Sequence, residues 1–497
     1  MDCLLSGGTG MGQESGVGER CAMALLALVC TVGWNDAVGK EAALAGGQTA
    51  WVRKYGGMGA EHLDALSPHP QGGFLAVGRF GSTVFPREEG LALGRYAADG
   101  SPLWSRVVTT EAIHTVSVTL TSLGNILVVG GYRGSPDFGV GPLPSVTSSE
   151  GWEGLFIAKF SPTGQTVWSR GFSARGIRGQ PQRVVSVAVA TDAAGSLVVT
   201  GSFRGELDLG GGPLLSHLTG NTGEAWGEGG FVAKFSWEGK HLWSSAFQSG
   251  VFDTPQKTPR LRSVTTDPQG NVLVAGASSA WTNLGDGALG VDAPFIAKYS
   301  ATGSLVWKRV FRGAYGDVMD LKPQGTNRVA FIGNLGGTFT FAGASYTGGN
   351  PRQGPHALPN TNGFFGVLGE GGNDVLIASV GTGTGGDLSF LELGVGEDRA
   401  FTVSGGGRGE FDLGGGRMGN AGGGSLPHSG QPFVVRYSAE GQYQWARVFD
   451  HDRHFRMALQ PAGDLVLGTT LAGTLELDGQ LWTASGITDL LYWKMER

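Results

Sequence analysis

The chain has 497 residues, of which 90 are glycine, and a net charge of −6 from 36 Lys+Arg against 42 Asp+Glu. Glycine thus stands at about 18%, against roughly 7% in an ordinary soluble protein, and it follows no Gly-X-Y period, which excludes a collagen-like chain. Hydrophobic residues at 40% exclude a disordered chain, glycine at this density disfavours a helical bundle, and an acidic balance without a Lys/Arg cluster excludes nucleic acid as the main partner.

Cys21–Trp34 (CAMALLALVCTVGW) is an uncharged run preceded by Arg20. It is shorter than the about 20 apolar residues that a bilayer span needs. It fits the core of a secretory signal, which runs about 7–15 residues. Small-x-small cleavage sites follow at Ala37–Gly39 and Ala43–Ala45, and Met11 and Met23 are alternative starts. A buried strand or helix is the other reading of the run. The expectation is a leader over residues 1–45, no transmembrane span, and a secreted or cell-envelope location (periplasm or outer surface). Cys3, Cys21 and Cys30 are the only cysteines, so no disulfide or cysteine-based zinc site can form beyond Thr31.

Residues 46–497 are expected to form one domain, and a repeat dominates them. Phe156–Phe172 (FIAKFSPTGQTVWSRGF), Phe231–Phe247 (FVAKFSWEGKHLWSSAF), Phe295–Phe311 (FIAKYSATGSLVWKRVF) and Phe433–Phe449 (FVVRYSAEGQYQWARVF) are variants of one unit, and Leu93–Val108 is a fifth. Each is an alternating apolar strand, a turn ending in glycine, and a second strand bearing Trp, which reads as an antiparallel hairpin. A second hairpin precedes each, as in Ser263–Ser278 (SVTTDPQGNVLVAGAS). Four strands, A to D, therefore make one repeat. The marker tryptophans are Trp51, Trp104, Trp168, Trp243, Trp307 and Trp445, with one missing near Val380 in a degenerate fifth repeat. Repeats end near residues 108, 172, 247, 311, 380, 449 and 497.

The last repeat stops after its third strand, Leu490–Met495, whereas Thr49–Gly57 (TAWVRKYGG) matches the missing Trp-bearing fourth. A ring closes if the first strand completes the last repeat, and closure protects the edges of an open array. The predicted fold is an all-β, seven-bladed β-propeller of four-stranded antiparallel blades. A linear solenoid or separate sandwiches would leave the split repeat unexplained.

The pattern D-x-x-G-N-x-x-V-x-G followed by F-[IV]-A-K-[YF]-S-x-x-G-x-x-x-W resembles the bacterial seven-bladed β-propeller repeat proteins, SBBP type, over about Thr49–Arg497. That resemblance implies a secreted or envelope propeller and transfers no catalytic residue. Ala301–Trp307 is also similar to the quinoprotein propellers, whose tryptophans dock between blades. Their vicinal disulfide has no counterpart here, so only the packing role is carried over.

In this topology strand A lines the axis and D lies outermost. The A–B and C–D turns are short, whereas the B–C and D–A connections are long and share one face. Long loops on a rigid scaffold are where binding residues usually sit. The B–C segments Arg133–Glu153, Arg204–Gly229 and Arg408–Gln431 carry a sub-motif with Asp137, Asp208 and Asp412. Calcium needs 6–8 oxygens in one place, and ring-equivalent aspartates diverge, so an extra short strand with an Asp-Gly turn is expected instead.

Registering the A strands on their turns brings His62, His114, Arg260, Tyr315 and Arg453 to one level at the axis, with Asp64, Arg262, Asp317 and Phe455 at the next. Such a funnel mouth suits an anionic or sugar-like ligand, or is simply a solvated rim. His451 and His454, in the Asp450–His454 cluster, are weak metal candidates, and no cofactor is expected. No G-x-S-x-G, Walker or H-E-x-x-H motif occurs. Three functions stay open. One is a non-catalytic, monomeric scaffold binding a protein or glycan through the long-loop face. The second is a polymer-acting hydrolase or lyase using Asp64 and Asp317. The third is a purely structural surface protein.

Overall fold

The computed structural model describes residues 47–56, 60–81, 89–109, 113–146, 154–175, 183–216, 228–248, 258–348, 362–381, 387–419, 430–451 and 453–496. The expected leader with its three cysteines, Asp452 and parts of the long connections lie outside the described residues. Strands and turns make up everything described, with no helix among the described residues. Seven antiparallel sheets follow one another as blades around a ring, each four-stranded except the fifth, to which a short strand adds a fifth member. The inner strands are Ala60–Pro68, Ile113–Leu120, Arg183–Thr191, Arg260–Thr266, Ala314–Pro323, Asp387–Val395 and Arg456–Leu459.

The seventh blade closes the ring as the split repeat requires. Thr49–Tyr55 pairs antiparallel with Asp489–Met495, matching Val52 to Trp493. The two ends even rebuild a turn across the break. In blade 2 the Ser161 amide donates to the Gln165 carbonyl and the Gly164 amide to the Ser161 carbonyl. In blade 7 the Glu496 amide donates to the Gln48 carbonyl and the Gly47 amide to the Glu496 carbonyl.

Five tryptophans clamp a blade to the next. Each indole N–H donates to a carbonyl in the C–D turn of the following blade: Trp51 to Ala98 (3.1 Å), Trp104 to Pro162 (3.1 Å), Trp168 to Trp237 (3.3 Å), Trp243 to Ala301 (2.9 Å) and Trp307 to Glu370 (2.7 Å). The turn glycine two residues beyond that carbonyl lies against the indole. At Gly303, with φ of 91°, an added Cβ would stand 2.7 Å from Trp243. Only glycine combines this backbone with that clearance. Trp445 lies on Gly47 in the same way, but its N–H has no partner among the described residues. The missing marker of blade 5 is Leu376, paired across strands with Val367 where other blades pair Trp with Lys or Arg.

That strand-C cation has its own task. Lys234 reaches Asp192 at 2.9 Å, and Lys298 reaches Asp267 at 2.9 Å, with all four side chains largely buried. The aspartate also accepts amides of its own turn, Asp267 from Gln269 (3.0 Å) and Asn271 (2.9 Å). This explains the D-x-x-G-N…K pattern: the A–B turn is tied to the third strand. Blade 5 has lost turn Asp, strand Lys and Trp together, placing Gln324, Val367 and Leu376 there.

Blades diverge from the axis, so a wedge opens between neighbours. The B–C inserts fill it. Asp208 accepts the amides of Gly210 (2.8 Å) and Gly212 (3.1 Å), and Asp412 those of Gly414 (2.7 Å) and Gly416 (3.0 Å). Asp137 does the same with Gly139, Val140 and Gly141, and Asn283 with Gly285 and Gly287. The expected Asp-Gly turn is therefore present. The apolar residues beside it go inward: Leu207 and Leu209 pack with Leu155 and Ile157 of the preceding blade, and Phe411 and Leu413 with Phe365 and Val367. Each fully buried Leu or Phe contributes about 1.5–3 kcal/mol, more than the net 0.5–1.5 kcal/mol of one indole hydrogen bond. Wedge filling thus outweighs the clamps.

Replacing Trp243 by Phe should lower stability by about 1 kcal/mol beyond the packing change, through its lost bond to Ala301. The same change at Trp445 should cost less. Paired unfolding curves would test this, and equal losses would count against the clamp.

Candidate functional site

The axial positions are set by a bulge in the inner strands. Pairing between strands A and B slips by one residue, inserting Asp64 in blade 1, Arg262 in blade 4, Met319 in blade 5 and Leu391 in blade 6. The carbonyl before the bulge presses on a strand-B glycine. An added Cβ at Gly276 would lie 1.8 Å from the Arg260 oxygen, and one at Gly78 lies 2.2 Å from the His62 oxygen. Bulges re-aim side chains, and in blades 1 and 4 the inserted residue is charged, Asp64 and Arg262.

Counted back from the first turn residue, His62, His114, Arg260 and Arg453 do share a level. In blade 5 that level belongs to Asp317, not Tyr315. The A–B turn there is Gln324–Arg328, closed by the Gln324 amide on the Arg328 carbonyl, whereas Asp267–Asn271 forms it in blade 4. Pro-Gln-Gly occurs at both sites but two positions apart in the turn, which misaligned Tyr315 with Arg260. Tyr315 sits farther out, its ring over Gly336, and burial raises its pKa. Phe455 also departs from the axis. It is buried in blade 7 against Phe449 and Trp493, with ring centroids at 4.7 and 4.8 Å.

Two charged clusters result. In the first, Asp64 is held by Arg79 through two bonds, Nε–Oδ2 at 2.8 Å and Nη2–Oδ1 at 2.9 Å. Arg79 stands opposite His62 across the strands. Burial lowers the His62 pKa first; Arg79 and Arg453 lower it further, and Asp64 opposes them. In the second, Asp317 faces Arg260 (Nε–Oδ1 3.3 Å, Nη2–Oδ2 3.5 Å) and Arg262 (Nη2–Oδ2 3.4 Å). The His114 ring lies over Gly131. Arg79 was not among the sequence candidates, although its place directly after the strand-B Gly78 marked it as an axial neighbour.

Deeper along the axis, side chains cap the neighbouring blade. Ser263 accepts the Leu321 amide (3.1 Å), Asp320 the Leu393 amide (3.0 Å) and Glu392 the Met457 amide (2.7 Å). These carboxylates serve the ring. The His cluster divides: His451 is buried beside Phe455 and its Nδ1 takes the Arg453 amide at 3.0 Å, whereas His454 faces solvent. No group of three His, Cys, Asp or Glu able to hold a metal occurs among the described residues. No helix among them is long and apolar enough to cross a membrane.

No protein-family model matches the chain. An uncharacterised WD repeat-containing protein of Acanthamoeba polyphaga mimivirus is 25% identical over 247 residues, which is 42% of this chain and 16% of that protein. The chain thus spans about a sixth of that relative's length. Solved structures with a similar fold include a protein of unknown function from Dyadobacter fermentans (11% identity, TM-score 0.40, 78% of this chain and 96% of that one). The WD40 domain of Toxoplasma gondii coronin has 9% identity and a TM-score of 0.38, covering 90% and 88%. The GH93 α-L-arabinofuranosidase of Fusarium graminearum has 10% identity and a TM-score of 0.39, covering 76% and 92%.

His62 should titrate below 6.5 in an NMR pH series. Asp64→Asn should move its midpoint lower still, and Arg453→Gln should raise it. A midpoint indifferent to both changes would contradict the cluster.

Proposed function

We propose that this chain is a non-catalytic binding propeller of the secreted or envelope type, engaging a protein or glycan through the face that carries the long B–C and D–A connections. The supporting observation is the difference between the two faces. On the short-turn face, backbone carbonyls and side chains are taken up by the blade-to-blade clamps, as in Trp243 to Ala301 and Lys234 to Gly270. The opposite mouth carries His62, Arg79, Arg260, Arg262 and Arg453, of which Arg260 and Arg262 also reach Asp317 of the next blade. The resemblance to SBBP-type repeats and the signal-like run Cys21–Trp34 support export.

The hydrolytic alternative draws less support. Glycoside hydrolysis uses two carboxyl groups, roughly 5–10 Å apart, as acid and base or nucleophile. Asp64 and Asp317 sit in different blades, and each is engaged by arginine. A purely structural role predicts no saturable partner at all.

Loop variants must spare the wedge-filling hairpins. Shortening 217–227 and 420–429 while keeping Glu206–Leu215 and Phe411–Met418 should leave the unfolding temperature unchanged and remove the partners captured by the wild-type chain. Identical capture by both proteins would reject the loop-face reading.

A further inference from the structure

The seam that closes the ring, between blades 7 and 1, holds a cavity on the short-turn face. Its volume is about 260 Å³, and it lies between the A–B turns Gln460–Asp464 and His69–Gly73. One water needs only about 10–15 Å³. The corresponding space between blades 4 and 5, bounded by Asp267, Lys298 and Thr326, measures about 20 Å³.

The A–B turn of blade 7 is built differently from those of blades 3 and 4. Those turns open on an aspartate, Asp192 or Asp267, that takes the strand-C lysine. Blade 7 opens its turn on Gln460 and ends it on Asp464, and Lys494 pairs with that last residue at 2.7 Å. Gln460 is only 9% exposed, and its Nε2 is buried with no partner among the described residues. Blade 5 shows where a glutamine at this position can bond. The Gln324 Nε2 donates at 2.9 Å to the carbonyl of Arg399, the fourth residue of the next blade's turn. The counterpart for Gln460 is Gly72, whose carbonyl already accepts Arg95 Nη2 at 2.5 Å. A buried amide N–H without an acceptor costs free energy that a ligand oxygen would recover.

The rest of the wall specifies the ligand. Lys494 and Asp464 line the cavity and cancel in charge, so they favour neither an anion nor a cation and offer donors beside acceptors. A hydroxyl both donates and accepts, so neighbouring hydroxyls can meet the two at once. Pro70, Pro461 and Ala462 supply apolar surface. Apolar walls with a few convergent polar groups are the usual make-up of a small-molecule site. We propose that this seam cavity binds one neutral sugar ring, with a sugar oxygen on Gln460 Nε2, hydroxyls on the Lys494–Asp464 pair and the C–H face of the ring on the prolines. The site lies on the face opposite the long loops and so goes beyond the loop-face reading. Its ligand bridges blades 7 and 1 and braces the ring where it closes.

The test is calorimetric titration and thermal unfolding of the full chain with glucose, galactose and mannose, and with cyclohexanol as a ring bearing a single hydroxyl. At least one of the three sugars should bind one to one and raise the unfolding temperature as its concentration rises, and cyclohexanol should do neither. Gln460→Met keeps the length of the side chain and removes the amide. It should weaken sugar binding at least tenfold while the unligated chain unfolds at the same or a higher temperature, a combination that a damaged fold would not give. Ala462→Trp, in an exposed part of the turn, should fill the cavity and abolish binding. Shortening 217–227 and 420–429 should leave the sugar affinity unchanged. Failure of all three sugars to saturate the wild-type chain overturns the proposal, as does wild-type affinity in a folded Gln460→Met or equal binding of cyclohexanol. Loss of sugar binding with the shortened loops would also overturn it, while leaving the loop-face reading standing.

Discussion

Sheets fanned about an axis diverge as they leave it, and the wedge between neighbours has to be filled with apolar volume. This constraint organises the rest of the molecule. Seven hydrophobic clusters lie between successive blades, one to each wedge. Six of them take in residues of a B–C insert, such as Phe138, Leu284, Phe341 and Leu477. The seventh, between blades 7 and 1, holds a cluster of rings: Phe74 and Tyr96 stack at 4.8 Å, with Tyr492 and Tyr55 beside them. Segments with the composition of binding loops are thus partly core.

Near the axis the geometry reverses, and crowding replaces divergence. The inner strands accommodate it with a one-residue bulge over a strand-B glycine. The same bulge that relieves the backbone carries Asp64 and Arg262 to the rim. Fold and chemistry therefore meet at one backbone feature. The turn-face contacts use up polar groups to hold blades together, whereas the bulges of blades 1 and 4 place Asp64 and Arg262 near the opposite mouth.

The architecture was legible because hairpins announce themselves by alternation and turn glycines, and because the split repeat has only one economical explanation. The Asp-Gly turns at Asp137, Asp208 and Asp412 were legible for the same local reason. The destination of their neighbours Phe138, Leu209 and Leu413 was not, since a wedge between blades leaves no mark on local periodicity. The shared level of His62, His114, Arg260 and Arg453 was legible from the turns, and blade 5 was misaligned. There, Pro-Gln-Gly recurs at a different turn position, so sequence identity pointed to Tyr315 where hydrogen bonding selects Asp317. The lost tryptophan was placed near Val380 and stands at Leu376. Arg79 was missed because it belongs to strand B, which a search along strand A does not reach.

The central claim is that Thr49–Tyr55 is an integral strand of the seventh blade. Hydrogen–deuterium exchange of the intact chain tests it directly. Amides of Thr49–Tyr55 that pair with Asp489–Met495 should be protected to the same order as those between Leu465–Leu471 and Asp489–Met495, and should open with them. Exchange of Thr49–Tyr55 at the rate of a free peptide, with the remaining blades still protected, would contradict a ring closed by its first strand.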